Sequence, residues 1–114
     1  GVLRALQDGM DANSVHGTTG CTLLFAAADR GHEEMVLALL SRDADPNLVG
    51  TNGVSPLFAT AKRGNHPLVQ LLLAHGAKVN LPSAQGETPI FGALRSKKVV
   101  DEVVEVLLQA RADL

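Results

Sequence analysis

The chain has 114 residues, 46% of them hydrophobic but only 3% aromatic, and ten Lys and Arg stand against twelve Asp and Glu for a net charge of −2. That length suits one domain able to bury roughly 60–70% of the surface its unfolded form exposes. Scarce aromatic side chains exclude stacking platforms for single-stranded nucleic acid, and a pI near 6.0 excludes the cationic footprint of a DNA binder.

The longest apolar runs, such as Leu23–Ala28, fall far short of a bilayer span, and the start of the chain has no basic-then-apolar secretory pattern. The single cysteine, Cys21, cannot form an intramolecular disulfide, and no Asn-x-Ser/Thr acceptor occurs. These features predict an intracellular protein of cytoplasm or nucleus with no membrane insertion.

In chain order, Val2–Asn13 reads as the closing helix of an incomplete unit, with Val2, Leu3 and Leu6 apolar and Gly9, Asp11 and Asn13 beyond them. Thr22 then offers a hydroxyl for an N-cap, and Gly31 closes the short helix that follows. A second helix carries Met35, Val36, Leu39 and Leu40 in a 1-2-5-6 stripe. The polar run after it contains Thr51-Asn52-Gly53, a tight-reversal signal. Ser55 and Pro56 start the next helix, Gly64 ends it, and Leu68, Val69, Leu72 and Leu73 repeat the stripe before Gly76. Thr88 and Pro89 open a third unit, whose second helix carries Val103, Val104, Leu107 and Leu108, with Asp101, Glu102 and Glu105 on its polar side.

The three phenylalanines, Phe25, Phe58 and Phe91, are each 33 residues apart, a period that marks repeat architectures. Shifting Gly20–Asn47 onto Gly53–Asn80 gives 12 identities in 28 positions. The third copy opens in register at Gly86, Thr88, Pro89 and Phe91, then gains two residues. A unit this small cannot bury its own stripe, so neighbours must stack. The expected fold is all-α: one domain over 1–114, a solenoid of helix-turn-helix units joined by hairpins. It holds a half-unit at 1–13 and repeats at about 17–49, 50–82 and 83–114.

The segments GCTLLFAAADRGH…MVLALLSRDADPN and GVSPLFATAKRGN…LVQLLLAHGAKVN resemble the ankyrin repeat, G-x-T-P-L-H-x-A-A-x-x-G-H followed by I-V-x-x-L-L-x-x-G-A-D-x-N. Three departures carry physical consequences. Phe25, Phe58 and Phe91 replace the family's histidine, so apolar contact between adjacent repeats is expected where a Thr–His hydrogen bond is usual. Leu23 replaces the proline. Asp43 and Arg111 replace the glycine of G-A-D, and of the two, Asp tolerates a left-handed backbone better.

Nothing in the sequence assembles a catalytic, cofactor or metal site. Catalysis needs a nucleophile beside a base or paired carboxylates. His32 sits at the family's structural Gly-His position, with Asn65 in its place one repeat later, and His75 lies at the end of a second helix. Cys21 and His16 are two ligands where zinc wants four, and Asp43 and Asp45 lack calcium-loop spacing.

The resemblance therefore implies a non-catalytic protein–protein interaction scaffold, whose partner meets hairpin tips and the solvent side of the first helices. Carried over by position, the partner-binding residues are His16, Thr18, Thr19, Cys21, Asp29 and Arg30 in the first repeat and Val49, Thr51, Asn52, Val54, Lys62 and Arg63 in the second. The third contributes Gln85, Glu87, Arg95 and Ser96, beside Pro82 and Ala84. Charge adds a partner class: residues 1–45 sum to −4, 46–100 to +5 and 101–114 to −3. Arg30, Lys62, Arg63 and Arg95, with Lys97 and Lys98 after them, would form a cationic row that attracts an acidic segment, although Asp29 is expected to offset Arg30. The alternative is a structural spacer packed within a larger enzyme or channel, among flanking repeats of its own chain. Asn80, one residue after Val79 and eight after Leu72, resembles the ankyrin asparagines that a 2-oxoglutarate-dependent hydroxylase modifies, although Lys78 replaces the preferred acidic residue.

Overall fold

The computed structural model describes residues 21–49, 53–95 and 101–111. The half-unit expected at 1–13 lies outside them. The described residues form three helix pairs: α1 Leu23–Asp29 with α2 Glu33–Ser41, α3 Pro56–Lys62 with α4 His66–Ala74, and α5 Pro89–Arg95 with α6 Asp101–Gln109. No strand occurs among them, and the particle is elongated, 41 × 24 × 22 Å.

The helix starts follow local chemistry. Thr22 and Ser55 lie in extended backbone, and their hydroxyl oxygens accept the N–H of Phe25 and Phe58 at 3.0 and 3.1 Å. Each satisfies one donor that the first turn leaves open. Pro56 and Pro89 open α3 and α5, where no N–H is required.

The turns inside each pair are built alike. Gly31 and Gly64 adopt φ of +74° and +71°, while His32 and Asn65 donate their N–H to Ala27 and Thr60 carbonyls at 2.9 Å. This is the left-handed closure that favours glycine. The same closure ends α2 and α6 without glycine: Asp43 and Arg111 stand at φ +65° and +71°, where α4 has Gly76. The sequence-expected substitution at the G-A-D position is thus accommodated by adopting the glycine conformation.

Helices of seven to nine residues do not hold alone, so packing supplies their stability. One continuous core runs through all three pairs: Leu24, Leu57 and Ile90 from the first helices, and Val36, Leu39, Leu68, Val69, Leu72, Val103 and Leu107 from the second. All are at most 1% exposed, and each such side chain contributes about 1.5–3 kcal/mol. Met35, Leu73 and Val104 pack at its edge, while Leu108 is 43% exposed.

At the second of the recurring phenylalanines, the side chain joins neighbouring units. Phe58 is 9% exposed, and its ring lies against Gly92 of the next first helix, where an added Cβ would stand 3.0 Å from Cε2 and Cζ. The expected apolar contact between repeats is present at Phe58, whereas Phe91 is 45% exposed. A second tie is polar: Asn47 Nδ2 donates to the Gly76 carbonyl at 3.0 Å, and its Oδ1 accepts the Lys78 N–H at 2.7 Å.

Candidate functional site

Between α3 and α5 the chain forms a groove of about 390 Å³ lined by Val54, Phe58, Lys62, Gln85, Glu87, Gly92 and Arg95. Five of these seven are residues that the sequence singles out for partner contact. Phe58 and Gly92 supply an apolar floor. Val54, Gln85 and Glu87 come from the hairpins, and Lys62 and Arg95 end their helices. The hairpin before α5 is held by Ser83, 8% exposed, whose N–H donates to the Glu87 carbonyl at 2.7 Å while its hydroxyl oxygen accepts the N–H of Gln85 and of Glu87 at 3.3 Å. Ala84 N–H donates to the Gly53 carbonyl at 2.9 Å, tying this hairpin to the one before it.

Among the described residues the cations divide between two surfaces. Lys62 and Arg95 share the groove, while Arg30 and Arg63 cap α1 and α3 and line a separate depression of about 600 Å³, with Asp29, Gly31, Gly64, Asn65, His66, Pro67 and Glu102. Asp29 offsets Arg63 of the next unit rather than its neighbour Arg30: Arg63 Nε and Nη2 donate to the two Asp29 carboxylate oxygens at 2.8 and 3.4 Å. Those hydrogen bonds, with the carboxylate charge, raise the Arg63 pKa above its ordinary value. Arg95 donates to Glu87 Oε2, which raises its pKa in the same way. Arg30 and Lys62 are exposed and enter no ion pair among the described residues.

Residues 24–114 match the family model for ankyrin repeats, in three copies. The chain belongs to the ankyrin-repeat family. Ankyrin repeats are generally protein–protein interaction modules, and the family is generally non-catalytic. No curated protein matches the chain.

In this ankyrin array Cys21 is half-buried just before α1, and Val49 is 40% exposed. His16, Thr18, Thr19, Thr51, Asn52 and Ser96 lie outside the described residues, as do Lys97 and Lys98. His32 is an exposed N-cap residue whose side chain makes no cap hydrogen bond, whereas Asn65 Oδ1 accepts the Leu68 N–H at 3.3 Å. His75 is the exposed C-cap of α4. Asn80 is half-buried and shares the register of Asn47, the amide that bridges two units. Among the described residues no three His, Cys, Asp or Glu side chains are placed to hold a metal, and no helix is long and apolar enough to cross a membrane.

Sequence reasoning missed Phe58 and Gly92 as lining of the groove, and Ser83 as the residue that holds the loop beside it. Ser83-Ala-Gln-Gly86 carries a readable turn signal, Ser at the first position and Gly at the fourth. A glycine inside a helix is also a warning of close approach, since it costs about 1 kcal/mol against Ala.

Proposed function

We propose that this ankyrin array is a non-catalytic protein–protein interaction scaffold that holds an acidic segment of a partner in the groove between α3 and α5. The observation that carries this reading is the convergence of Lys62 and Arg95 over the apolar floor of Phe58 and Gly92. A partner carboxylate meets Lys62 directly, because no carboxylate engages it among the described residues, and competes with Glu87 for Arg95. Residues 46–100, at +5, extend the attraction beyond contact range and accelerate encounter.

The test is affinity capture on wild type beside a Lys62→Glu, Arg95→Gln double variant, which sets no new carboxylate against Glu87, read by mass spectrometry and followed by titration of the captured partner. Lys62 serves better than Arg63, whose reversal would set a carboxylate against Asp29 and disturb the contact between units. Binding should fall at least about tenfold and weaken with salt, while the thermal melt stays unchanged. Equal affinity for both proteins, with no salt dependence, overturns the reading.

The spacer reading is favoured by one surface. Phe91, Leu94 and Leu108 are 45%, 52% and 43% exposed, whereas the matching Phe58, Ala61 and Leu40 are 9%, 0% and 5% exposed. A flanking unit of the same chain would cover this face. Association of the isolated chain that Leu94→Ser with Leu108→Ser abolishes would favour the spacer, and a monomer in sedimentation that captures a partner would favour the scaffold.

A further inference from the structure

We infer that the outer face between α2 and α4 is a second docking site, which takes a short basic peptide segment of another protein carrying one aliphatic side chain. A depression of about 560 Å³ opens there, mostly apolar and lined by Glu33, Glu34, Leu37, Pro67, Gln70 and Leu71. It opens because the second helices α2 and α4 approach less closely than the first helices α1 and α3.

Leu37 is what sets this face apart. It is 50% exposed, so folding gains little from it, and the matching positions carry Gln70 in the second unit and Glu105 in the third. The repeat thus uses a polar residue at this outward position wherever the sequence is free to follow solvent. Leucine at that register, beside half-buried Leu71 and against Pro67, gives an apolar side chain of a partner a surface to leave water on.

The rim chooses the partner's charge. Glu33 and Glu34, both exposed in the first turn of α2, enter no ion pair among the described residues, and no Lys or Arg lines the depression. The positive end of α2 offsets part of their charge, yet two carboxylates remain within reach of a Lys or Arg beside the aliphatic anchor. The inner groove displays Lys62 and Arg95, so the two faces are opposite in sign and select different segments.

A random library of eight-residue peptides, selected on the 114-residue chain and counter-selected on a Leu37→Gln, Glu33→Gln, Glu34→Gln variant, tests this. Leu37→Gln installs the residue type of the neighbouring unit at an exposed site, and an unchanged thermal melt verifies folding. The expected survivors carry at least two Lys or Arg flanking a Leu, Ile or Met. Their affinity should fall at least about tenfold on Leu37→Gln, the loss expected for one leucine-sized contact, and again by about threefold or more on Glu33→Gln with Glu34→Gln, as expected for two solvent-screened ion pairs. Lys62→Glu should leave it unchanged. Chemical-shift changes should centre on the Leu37 and Leu71 methyl groups. Acidic survivors, survivors indifferent to Leu37, no survivors, or self-association of the chain that Leu37→Gln abolishes would each overturn the proposal.

Discussion

Replacing Gly92 by alanine tests how tightly the units are joined, because two opposed effects meet at one atom. In an exposed helix interior Gly→Ala stabilises by about 1 kcal/mol through lower backbone entropy in the unfolded chain. Here the new Cβ would stand 3.0 Å from Phe58 Cε2 and Cζ and 3.4 Å from Cδ2. The ring has little room to retreat, being 9% exposed between α3 and α5, the most intimately packed helices of the array. Overpacking of this kind costs about 1–3 kcal/mol, so Gly92→Ala should destabilise by about 1 kcal/mol net. Phe58→Leu shortens the side chain and removes the clash, so in that background the same Gly92→Ala should stabilise by about 1 kcal/mol. The cycle therefore carries a coupling of about 2 kcal/mol with a change of sign. Urea unfolding of the four proteins, compared at constant slope, measures it. Stabilisation by Gly92→Ala in the wild-type background, or a coupling below about 0.5 kcal/mol, would refute the packing argument.

Other outcomes follow from single contacts. Asp43→Gly and Arg111→Gly should each stabilise by about 0.5–1 kcal/mol, Arg111 by the more, because a left-handed L-residue costs about 1–2 kcal/mol and glycine returns part of that in chain entropy; thermal melts will show it. Asn47→Ala should cost about 1–2 kcal/mol by removing two hydrogen bonds between units, and hydrogen exchange should rise in α1 and α2 before α5 and α6. Ser55→Ala should cost about 1 kcal/mol, since its hydroxyl caps α3. Thr88→Ala should cost less than half of that, because the buried Thr88 hydroxyl oxygen has no hydrogen-bond partner among the described residues; parallel urea titrations will separate the two.

Whatever depended on neighbours in sequence was legible before the structure. The capping hydroxyls of Thr22 and Ser55, the closing Gly31 and Gly64 and the stripe ending at Leu73 obey rules that act within four or five residues, and the 33-residue period multiplies each signal. Gly92 shows where that reach ends. Its meaning depends on Phe58, 34 positions earlier, and no local rule connects a glycine in one helix to a ring in another. The same distance separates Asp29 from Arg63. Adjacency in sequence pairs Asp29 with Arg30, but Asp29 ends α1 while Arg30 has already entered the turn, so the guanidinium that reaches Asp29 comes from the next unit's cap. The cationic row divides for a related reason. Successive positions at a helix end point about 100° apart, which sends Lys62 into the groove and Arg63 into the depression behind it.

That division bears on how an acidic partner would be recognised. Arg63 and Asp29 are 54% and 34% exposed, and a solvent-screened surface pair of this kind contributes about 0–1 kcal/mol. A partner carboxylate could replace Asp29 at little energetic loss, but it would also loosen a tie between the first two units. Lys62 carries no such second duty. Binding through Lys62 leaves the joint between units intact, and binding through Arg63 couples occupancy to the stiffness of the stack. The two modes differ in a measurable way: engagement of Arg63 should make the Asp29→Asn variant bind an acidic peptide more tightly than wild type, because the competing charge is gone. Engagement of Lys62 alone should leave that affinity unchanged. A tighter Asp29→Asn complex that Lys62→Glu does not weaken would move the acidic site from the groove to the depression at the helix turns.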